Sequence, residues 1–102
     1  MSHIDELRDV INKLHGGIAT HEQSVPVKEV FQGKTVWDGV VEVFRLDGHK
    51  LTNRVYAWMH DTGDPSKPKH VTVLHIDPAL SPVKAVRAFI IQEFRNNASV
   101  QA

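Results

Sequence analysis

The sequence predicts an α+β domain in which a four-stranded antiparallel β-meander is flanked by an N-terminal and a C-terminal helix, in the order α-β-β-β-β-α. Three observations predict it: apolar residues recur at helical spacing near both ends, valine-rich and aromatic segments fill the middle, and turn residues separate the segments. The connections between the predicted strands are too short for parallel crossovers, so the sheet should be antiparallel. A length of 102 residues predicts one domain over residues 1–102.

Both helices are predicted from the spacing of their apolar residues and from the residues at their ends. The first helix covers residues 2–15, where Ser2 is the cap and Gly16-Gly17 ends the helix. The second begins at Ser81-Pro82, with serine as the cap and proline at the first helical position. The polar tail from about residue 96 is expected to fray. The apolar stripes are Ile4, Leu7, Val10, Ile11 and Leu14 in the first helix and Val83, Val86, Phe89, Ile90 and Phe94 in the second.

The middle of the chain predicts four strands, because β-branched and aromatic residues dominate it between turn sequences. The segments 32–34 and 47–50 are predicted turns, and residues 61–69 are a predicted exposed loop. A polar connector is expected between the first helix and about Gln23. The predicted strands cover residues 25–31, 35–46, 51–60 and 70–76.

The pairing of these strands predicts a sheet with one aromatic face and one aliphatic face, since side chains alternate along each strand. Centring the 47–50 turn places Val41 opposite Tyr56, and it places Gly39 opposite Trp58, whose indole would cover the glycine. The residues predicted to form a ligand-binding or interface surface on the aromatic face are Trp37, Val41, Arg54, Tyr56, Trp58, His60 and His75. The aliphatic face is predicted to carry Val36, Val40, Phe44, Val55, Ala57, Met59, Leu74 and Ile76.

Two features of this arrangement stay open. Asp38 and Glu42 fall on the aliphatic face, which is unfavourable unless they lie at its rim or a bulge near Gly39 shifts the register. The C-terminal helix follows the fourth strand directly and is expected to cover the aliphatic face. The N-terminal helix then covers either the aromatic face, which gives a structural role, or the aliphatic face, which leaves the aromatic face open to a partner or ligand.

The composition excludes several classes of site and partner. The chain has no cysteine, so disulfides, thiolate nucleophiles and cysteine-bearing zinc sites are excluded. A formal net charge of zero argues against broad attraction to nucleic acids or membranes, and it removes charge repulsion as a barrier to self-association. No apolar stretch is long enough to span a membrane, and the start of the chain is unlike a signal peptide, so a cytoplasmic protein is expected.

The histidines do not form a recognisable catalytic or metal-binding pattern. His60, His70 and His75 match no ligand spacing, and the last two point to opposite faces of one strand. His60 with Asp61 or Asp64 defines an alternative, a small enzyme, but the sequence identifies no nucleophile or positioned water for such a base. No catalytic residue, metal ligand or cofactor is therefore predicted.

A nucleic-acid-binding domain is the other alternative. Basic residues cluster around two turns and along the second helix, and tryptophan or tyrosine could stack on bases. The α-β-β-β-α core resembles double-stranded-RNA-binding domains in topology alone, and the extra strand and the neutral charge count against that class. The basic residues are Arg45, His49, Lys50, Arg54, Lys67, Lys69, His70, Lys84, Arg87 and Arg95.

Residues 37–49, followed by residues 56–58, resemble a hairpin pattern of small uncharacterised bacterial proteins, W-x-G-x-V-x-V-F-x-L-x-G-H and then Y-A-W. The resemblance lies in the middle hairpin of the chain and implies no activity. It groups as one motif Trp37, Gly39, Gly48, His49, Tyr56 and Trp58.

The leading hypothesis is a non-enzymatic binding or assembly module. Its aromatic face would form a homodimer or bind a small apolar or aromatic molecule, because aromatic side chains supply large contact areas with a polar end. Arg54, His60 and His75 would orient the partner through hydrogen bonds at the margin. A nucleic-acid partner is disfavoured, and no membrane partner is expected.

Overall fold

The computed structural model describes residues 3–60 and 69–101, with their side chains as far as residue 93. The elements follow one another as α-β-β-β-β-α, so the predicted α+β fold is confirmed. One open sheet has the strand order β1-β2-β3-β4, and each neighbouring pair is antiparallel. The elements are α1 (His3–His15), β1 (Ile18–Phe31), β2 (Lys34–Asp47), β3 (Arg54–His60), β4 (Lys69–Leu74) and α2 (Pro82–Gln101).

The first helix, α1, lies where its apolar spacing predicts it. Leu7 and Ile11 are fully buried, whereas Leu14 at the end of the stripe is 66% exposed. The helix ends at a left-handed glycine as predicted, since Gly16 has a φ of 74° and its N–H donates to the carbonyl of Asn12 at 3.2 Å. The predicted cap at residue 2 lies outside the described residues.

The second helix, α2, begins as predicted and runs further. The hydroxyl of Ser81 accepts a hydrogen bond from the N–H of Lys84 at 3.2 Å, which is the expected cap. The helix extends past residue 96, where the polar tail begins, and ends at Gln101. Once nucleated, a helix extends through polar residues, since each further residue adds one backbone hydrogen bond. Within the described part of the chain, neither helix has the length and apolar character that crossing a membrane requires.

The first strand, β1, starts directly after α1, so the predicted polar connector up to about Gln23 is wrong. The N–H of Ala19 donates to the side-chain oxygen of Asn12 at 3.1 Å, and buried Ala19 lies opposite Leu46 of β2. β1 is an edge strand, and most of its first residues are exposed. A half-solvated edge strand is rich in polar residues, and its composition therefore resembles that of a loop.

The predicted register between β2 and β3 is displaced by two residues. Tyr56 lies opposite Val43 instead of Val41. In the neighbouring pair, Trp58 lies opposite Val71 of β4. Side-chain direction repeats every two residues along a strand, so a displacement of two leaves these residues on the predicted faces.

The connection between β2 and β3 is a loop over residues 48–53 rather than the predicted turn over residues 47–50. The N–H of Leu51 donates to Nδ1 of His49 at 3.1 Å, and the hydroxyl of Thr52 donates to the carbonyl of His75 at 2.8 Å. Such bonds between side chains and backbone compete with the ladder of a sheet. As a result β3 begins at Arg54 and not at residue 51.

Each helix covers one face of the sheet, and two hydrophobic cores result. The prediction that the C-terminal helix covers the aliphatic face is wrong: α2 covers the aromatic face and α1 covers the aliphatic face. The connection over residues 75–81 is long enough to carry the chain across, and Phe89 of α2 then packs edge-on against Trp58 at 5.5 Å. The core under α1 contains Leu7, Ile11, Ala19, Phe44, Leu46, Val55 and Ala57, and the core under α2 contains Val27, Val41, Val43, Tyr56, Trp58, Val71, Ala79, Ala85 and Val86.

Candidate functional site

Four of the predicted site residues lie within the core under α2 rather than on a surface. Tyr56 and Trp58 are 1% exposed, Val41 is fully buried, and Trp37 is half-buried. The helix α2 occupies the position that the sequence left to the N-terminal helix, a partner or a ligand. In the folded chain these side chains pack in one core with residues of α2.

An aromatic cluster forms the centre of that core. The rings of Trp37 and Trp58 lie 5.6 Å apart edge-to-face, and the ring of His60 lies 5.2 Å from that of Phe89 in the same manner. Gly39 is covered by Trp37 rather than by Trp58, since a Cβ at Gly39 would lie 3.1 Å from the Trp37 ring. His60 therefore packs as an aromatic ring at one end of the cluster.

Three predicted site residues meet at the other end of β3. The hydroxyl of Tyr56 lies 2.6 Å from Nδ1 of half-buried His75. Burial raises the pKa of Tyr56, and the hydrogen bond and charge of Arg54 counter that shift only in part. Arg54 is exposed, and its Nε lies 3.6 Å from the carboxylate of Glu22. The structure thus joins Arg54, Tyr56 and His75.

A polar cluster around Glu42 was missed by the sequence reasoning. Glu42 is 2% exposed, and its carboxylate accepts hydrogen bonds from Nε2 of His3 at 3.1 Å, from Nε2 of His21 at 2.9 Å and from the hydroxyl of Ser24. Burial alone would raise the pKa of Glu42, but these hydrogen bonds and the charge of His21 lower it below its usual value. The signal in the sequence was the unfavourable position of Glu42 on the aliphatic face, because a buried carboxylate requires partners.

The Glu42 cluster does not have the geometry of a catalytic triad. Ser24 and Glu42 both approach the same nitrogen of His21, with Oγ of Ser24 at 3.5 Å from Nε2. A triad requires the nucleophile and the carboxylate on the two different ring nitrogens. The cluster instead ties α1 and β1 to β2, since His3 belongs to α1 while His21 and Ser24 belong to β1.

An apolar groove of about 640 Å³ opens between the end of the β1–β2 hairpin and α2. Phe31 is 64% exposed, Val30 55%, Ile91 52% and Val36 46%. Contiguous exposed apolar side chains are uncommon on monomeric proteins and mark interaction sites. We call this surface the hairpin groove; it is lined by Glu29, Val30, Phe31, Val36, Arg87, Ile90 and Ile91.

A β-bulge shapes the hairpin groove. The register between β1 and β2 shifts between Glu29 and Val30, and Val36 has no partner in β1. An extra residue in one strand breaks the alternation of side chains and bends the strand. Val36 therefore lines the groove beside Ile90 and Ile91 of α2, which corrects its predicted place on the aliphatic face.

One ion pair borders the hairpin groove. Nε of Arg87 donates to the carboxylate of Glu29 at 2.7 Å, and the Glu29 side chain is only 13% exposed. This pair connects α2 to β1 and balances the charge at the wall of the groove. An apolar surface rimmed by polar groups has the anatomy of a protein interface.

The histidines do not form a metal site in the described part of the chain. No group of three or more metal-binding side chains is arranged there to hold an ion. The small-enzyme alternative relied on His60 with Asp61 or Asp64, and both aspartates lie outside the described residues.

Several of the basic residues that suggested nucleic-acid binding are paired with carboxylates in the folded chain. Such pairing reduces the positive potential that these residues offer to phosphates. The pairs are Arg45–Asp47 at 3.2 Å, Arg54–Glu22 at 3.6 Å, Lys69–Glu93 at 3.5 Å, His70–Glu6 at 3.6 Å and Arg87–Glu29 at 2.7 Å.

Comparison of the chain with protein-family models, with curated proteins and with solved structures finds no match.

Proposed function

We propose that the chain is a non-enzymatic assembly module that forms a homodimer through the hairpin groove. The observation that carries this proposal is the concentration of exposed apolar side chains, Phe31, Val36 and Ile91, around one concave surface. Removing such surface from water stabilises a complex by roughly 25 cal/mol per Å² of apolar area, before the costs of association.

A second copy of the chain suits the hairpin groove for reasons of charge and symmetry. The formal net charge is zero, so two copies approach each other without overall repulsion. A symmetric contact places the same patch on both sides. A specific interface requires a total of roughly 1,000 Å², so the contact has to extend from the groove onto the exposed hairpin of each copy.

The shape of the groove also favours a reciprocal contact. Phe31 lies at the end of the hairpin and is the most exposed of the groove residues, whereas Ile90 lies deeper between the hairpin and α2. In a symmetric dimer Phe31 of each copy would enter the groove of the other. Trp37 would support this interface from beneath, since Trp37 and Ile90 pack against the same core.

Sedimentation equilibrium over a range of concentrations tests the proposal with the variant Phe31→Ser. Every substitution occurs twice in a symmetric dimer, so losing most of the Phe31 contact should cost about 2–4 kcal/mol, or roughly 30- to 1,000-fold in the dissociation constant. Leu14→Ser is the matched control, because Leu14 is 66% exposed but lies on α1. It should leave the dimer unchanged.

A chain that is monomeric at every concentration would overturn the homodimer. An equal effect of Phe31→Ser and Leu14→Ser would show that the dimer uses another surface. If a monomeric chain bound an apolar fluorescent probe and Phe31→Ser abolished that binding, the hairpin groove would belong to a small apolar molecule, whose usual pockets have a similar volume.

A further inference from the structure

A second, shallow and open site lies where the β2–β3 loop meets the segment that follows β4. It is a pocket of about 560 Å³, and its lining includes His49, Lys50, Thr52, Asn53 and His75. These side chains are polar, so the chemistry of this pocket differs from that of the hairpin groove. We call this site the loop pocket.

Hydrogen bonding within the loop makes His49 a donor. The N–H of Leu51 donates to Nδ1 of His49 at 3.1 Å. A ring nitrogen that accepts a hydrogen bond carries no proton, so the neutral ring holds its proton on Nε2. Nε2 of His49 is therefore a hydrogen-bond donor in a ring that lines the loop pocket.

Tyr56 determines which nitrogen of His75 can donate into the loop pocket. The hydroxyl of Tyr56 lies 2.6 Å from Nδ1 of His75. Burial raises the pKa of Tyr56, so the hydroxyl keeps its hydrogen and can donate it to Nδ1. With Tyr56 as the donor, the neutral His75 ring carries its proton on Nε2.

The charges around the loop pocket leave it with an excess of donors. Lys50 is exposed and adds an ammonium group. Asp47 carries the one carboxylate among the described lining residues, and this carboxylate lies 3.2 Å from Nε of Arg45. Burial lowers the pKa of His15, whose ring lies 6.5 Å from that of His49.

We propose that the loop pocket binds an oxyanion, the phosphate or carboxylate group of a small molecule, through Nε2 of His49, Nε2 of His75 and the ammonium group of Lys50. Donors with few competing acceptors favour an anion, because charge-assisted hydrogen bonds are stronger than neutral ones. Tyr56 is a positioning residue, since it acts on the anion only through His75. The binding of an oxyanion here is independent of dimerisation through the hairpin groove.

Nuclear magnetic resonance on the isotope-labelled chain tests both the tautomers of the two histidines and the binding of an anion. Long-range imidazole spectra should show the Nε2–H tautomer for His49 and for His75. Titration with inorganic phosphate, and separately with acetate, at constant ionic strength should give saturable shifts confined to the amides of residues 47–53 and 75. Saturation by one anion and not the other assigns the loop pocket to that oxyanion. An Nδ1–H tautomer of either ring, or a lack of saturation by both anions, would overturn the proposal.

Two variants distinguish a residue that contacts the anion, Lys50, from the positioning residue Tyr56. Lys50→Gln should weaken binding about tenfold without affecting the fold, because Lys50 is exposed. Tyr56→Phe should weaken binding and also shift the tautomer balance of His75, which a merely structural role would not do. Lys34→Gln, at the opposite end of β2, is the control and should bind as the unsubstituted chain does. Unchanged binding by Lys50→Gln would exclude the loop pocket as the site.

Discussion

Glu42 shows how this fold accommodates a single buried charge. Its carboxylate lies on the aliphatic face, and an ionised group without partners there would be strongly destabilising. His3, His21 and Ser24 supply those partners from two other elements. The carboxylate therefore acts as a polar tie between α1, β1 and β2, which apolar packing alone would not position so specifically.

The variant Glu42→Gln should be less stable than the unsubstituted chain at neutral pH, by about 1–3 kcal/mol, because charged hydrogen bonds are lost in a buried site. The pKa of Glu42 is lowered in the folded chain from its usual 4.5. A lowered pKa stabilises the fold above the unfolded-state value, and that contribution is lost as the pH falls through the folded-state pKa. The difference between the two chains should thus shrink below pH 4.5, as measured by urea unfolding at a series of pH values.

Asp38→Asn is the control for this experiment, since Asp38 is an exposed carboxylate of the same strand. Its effect on the free energy of unfolding should be small at every pH. If Glu42→Gln kept its full effect at acid pH, the loss would come from packing and not from the charge of Glu42.

Trp58 illustrates a different cost of burial. It is 1% exposed, and its Nε1–H has no hydrogen-bond partner among the described residues. Trp58→Phe should lose less than about 2 kcal/mol of unfolding free energy, because it removes an unpartnered donor together with some packing. Trp58→Ala should lose about 3–5 kcal/mol. Far-UV circular dichroism during urea unfolding measures both, and a loss well above about 2 kcal/mol in Trp58→Phe would contradict the absence of a partner for Nε1.

At the scale of elements, the junction between α1 and β1 depends on two adjacent glycines. Gly16 and Gly17 both have positive φ, 74° and 78°. A Cβ at Gly16 would meet nothing within 4 Å, whereas a Cβ at Gly17 would overlap the carbonyl oxygen of Asp47. The two positions share the conformational demand and differ in the space available.

Gly16→Ala should therefore lose about 1–2 kcal/mol of unfolding free energy, the cost of a left-handed conformation for a residue with a Cβ. Gly17→Ala should lose about 1–3 kcal/mol more, because β2 must also move away from the new methyl group. Thermal unfolding of the two variants measures the difference. Equal losses would mean that the junction relaxes and that the contact with Asp47 is unimportant.

The order of elements could be predicted from the sequence, and their arrangement could be predicted only in part. Alternation along β3 correctly predicted Tyr56 and Trp58 on one face and Val55 on the other. The predicted register with β2 was wrong by two residues, and a displacement of two leaves each side chain on the same face. The face that each helix covers was not predictable from proximity along the chain. It depends on the fit of Phe89 against Trp58, which is a contact between distant segments.

The candidate surfaces were less predictable than the fold, because they too depend on contacts between distant segments of the chain. The hairpin groove depends on a bulge at Val36, and nothing in the local sequence distinguishes that residue from Val40. The hydrogen-bonded partners of Glu42 come from residues 3, 21 and 24, which only the tertiary structure brings together. Residue patterns thus indicated that Glu42 needed partners without identifying them.

At the scale of the whole molecule, one sheet separates two cores that share its strands. Neighbouring residues of β3 alternate between the cores, since Val55 and Ala57 pack under α1 while Tyr56 and Trp58 pack under α2. Neither core can lose its strands without exposing the other. We therefore expect the two layers to unfold in one cooperative transition, as small domains usually do.

The variant Ile11→Val tests this coupling from the side of α1. Ile11 is fully buried under α1, whereas both tryptophans report on the core under α2. The substitution should lower the unfolding free energy by about 0.5–1.5 kcal/mol. In urea, the midpoint from tryptophan fluorescence should fall together with the midpoint from far-UV circular dichroism, and Val86→Ala under α2 should likewise move both. A fluorescence midpoint that stayed in place in Ile11→Val would show that the layers unfold independently, because each core would then keep its own stability.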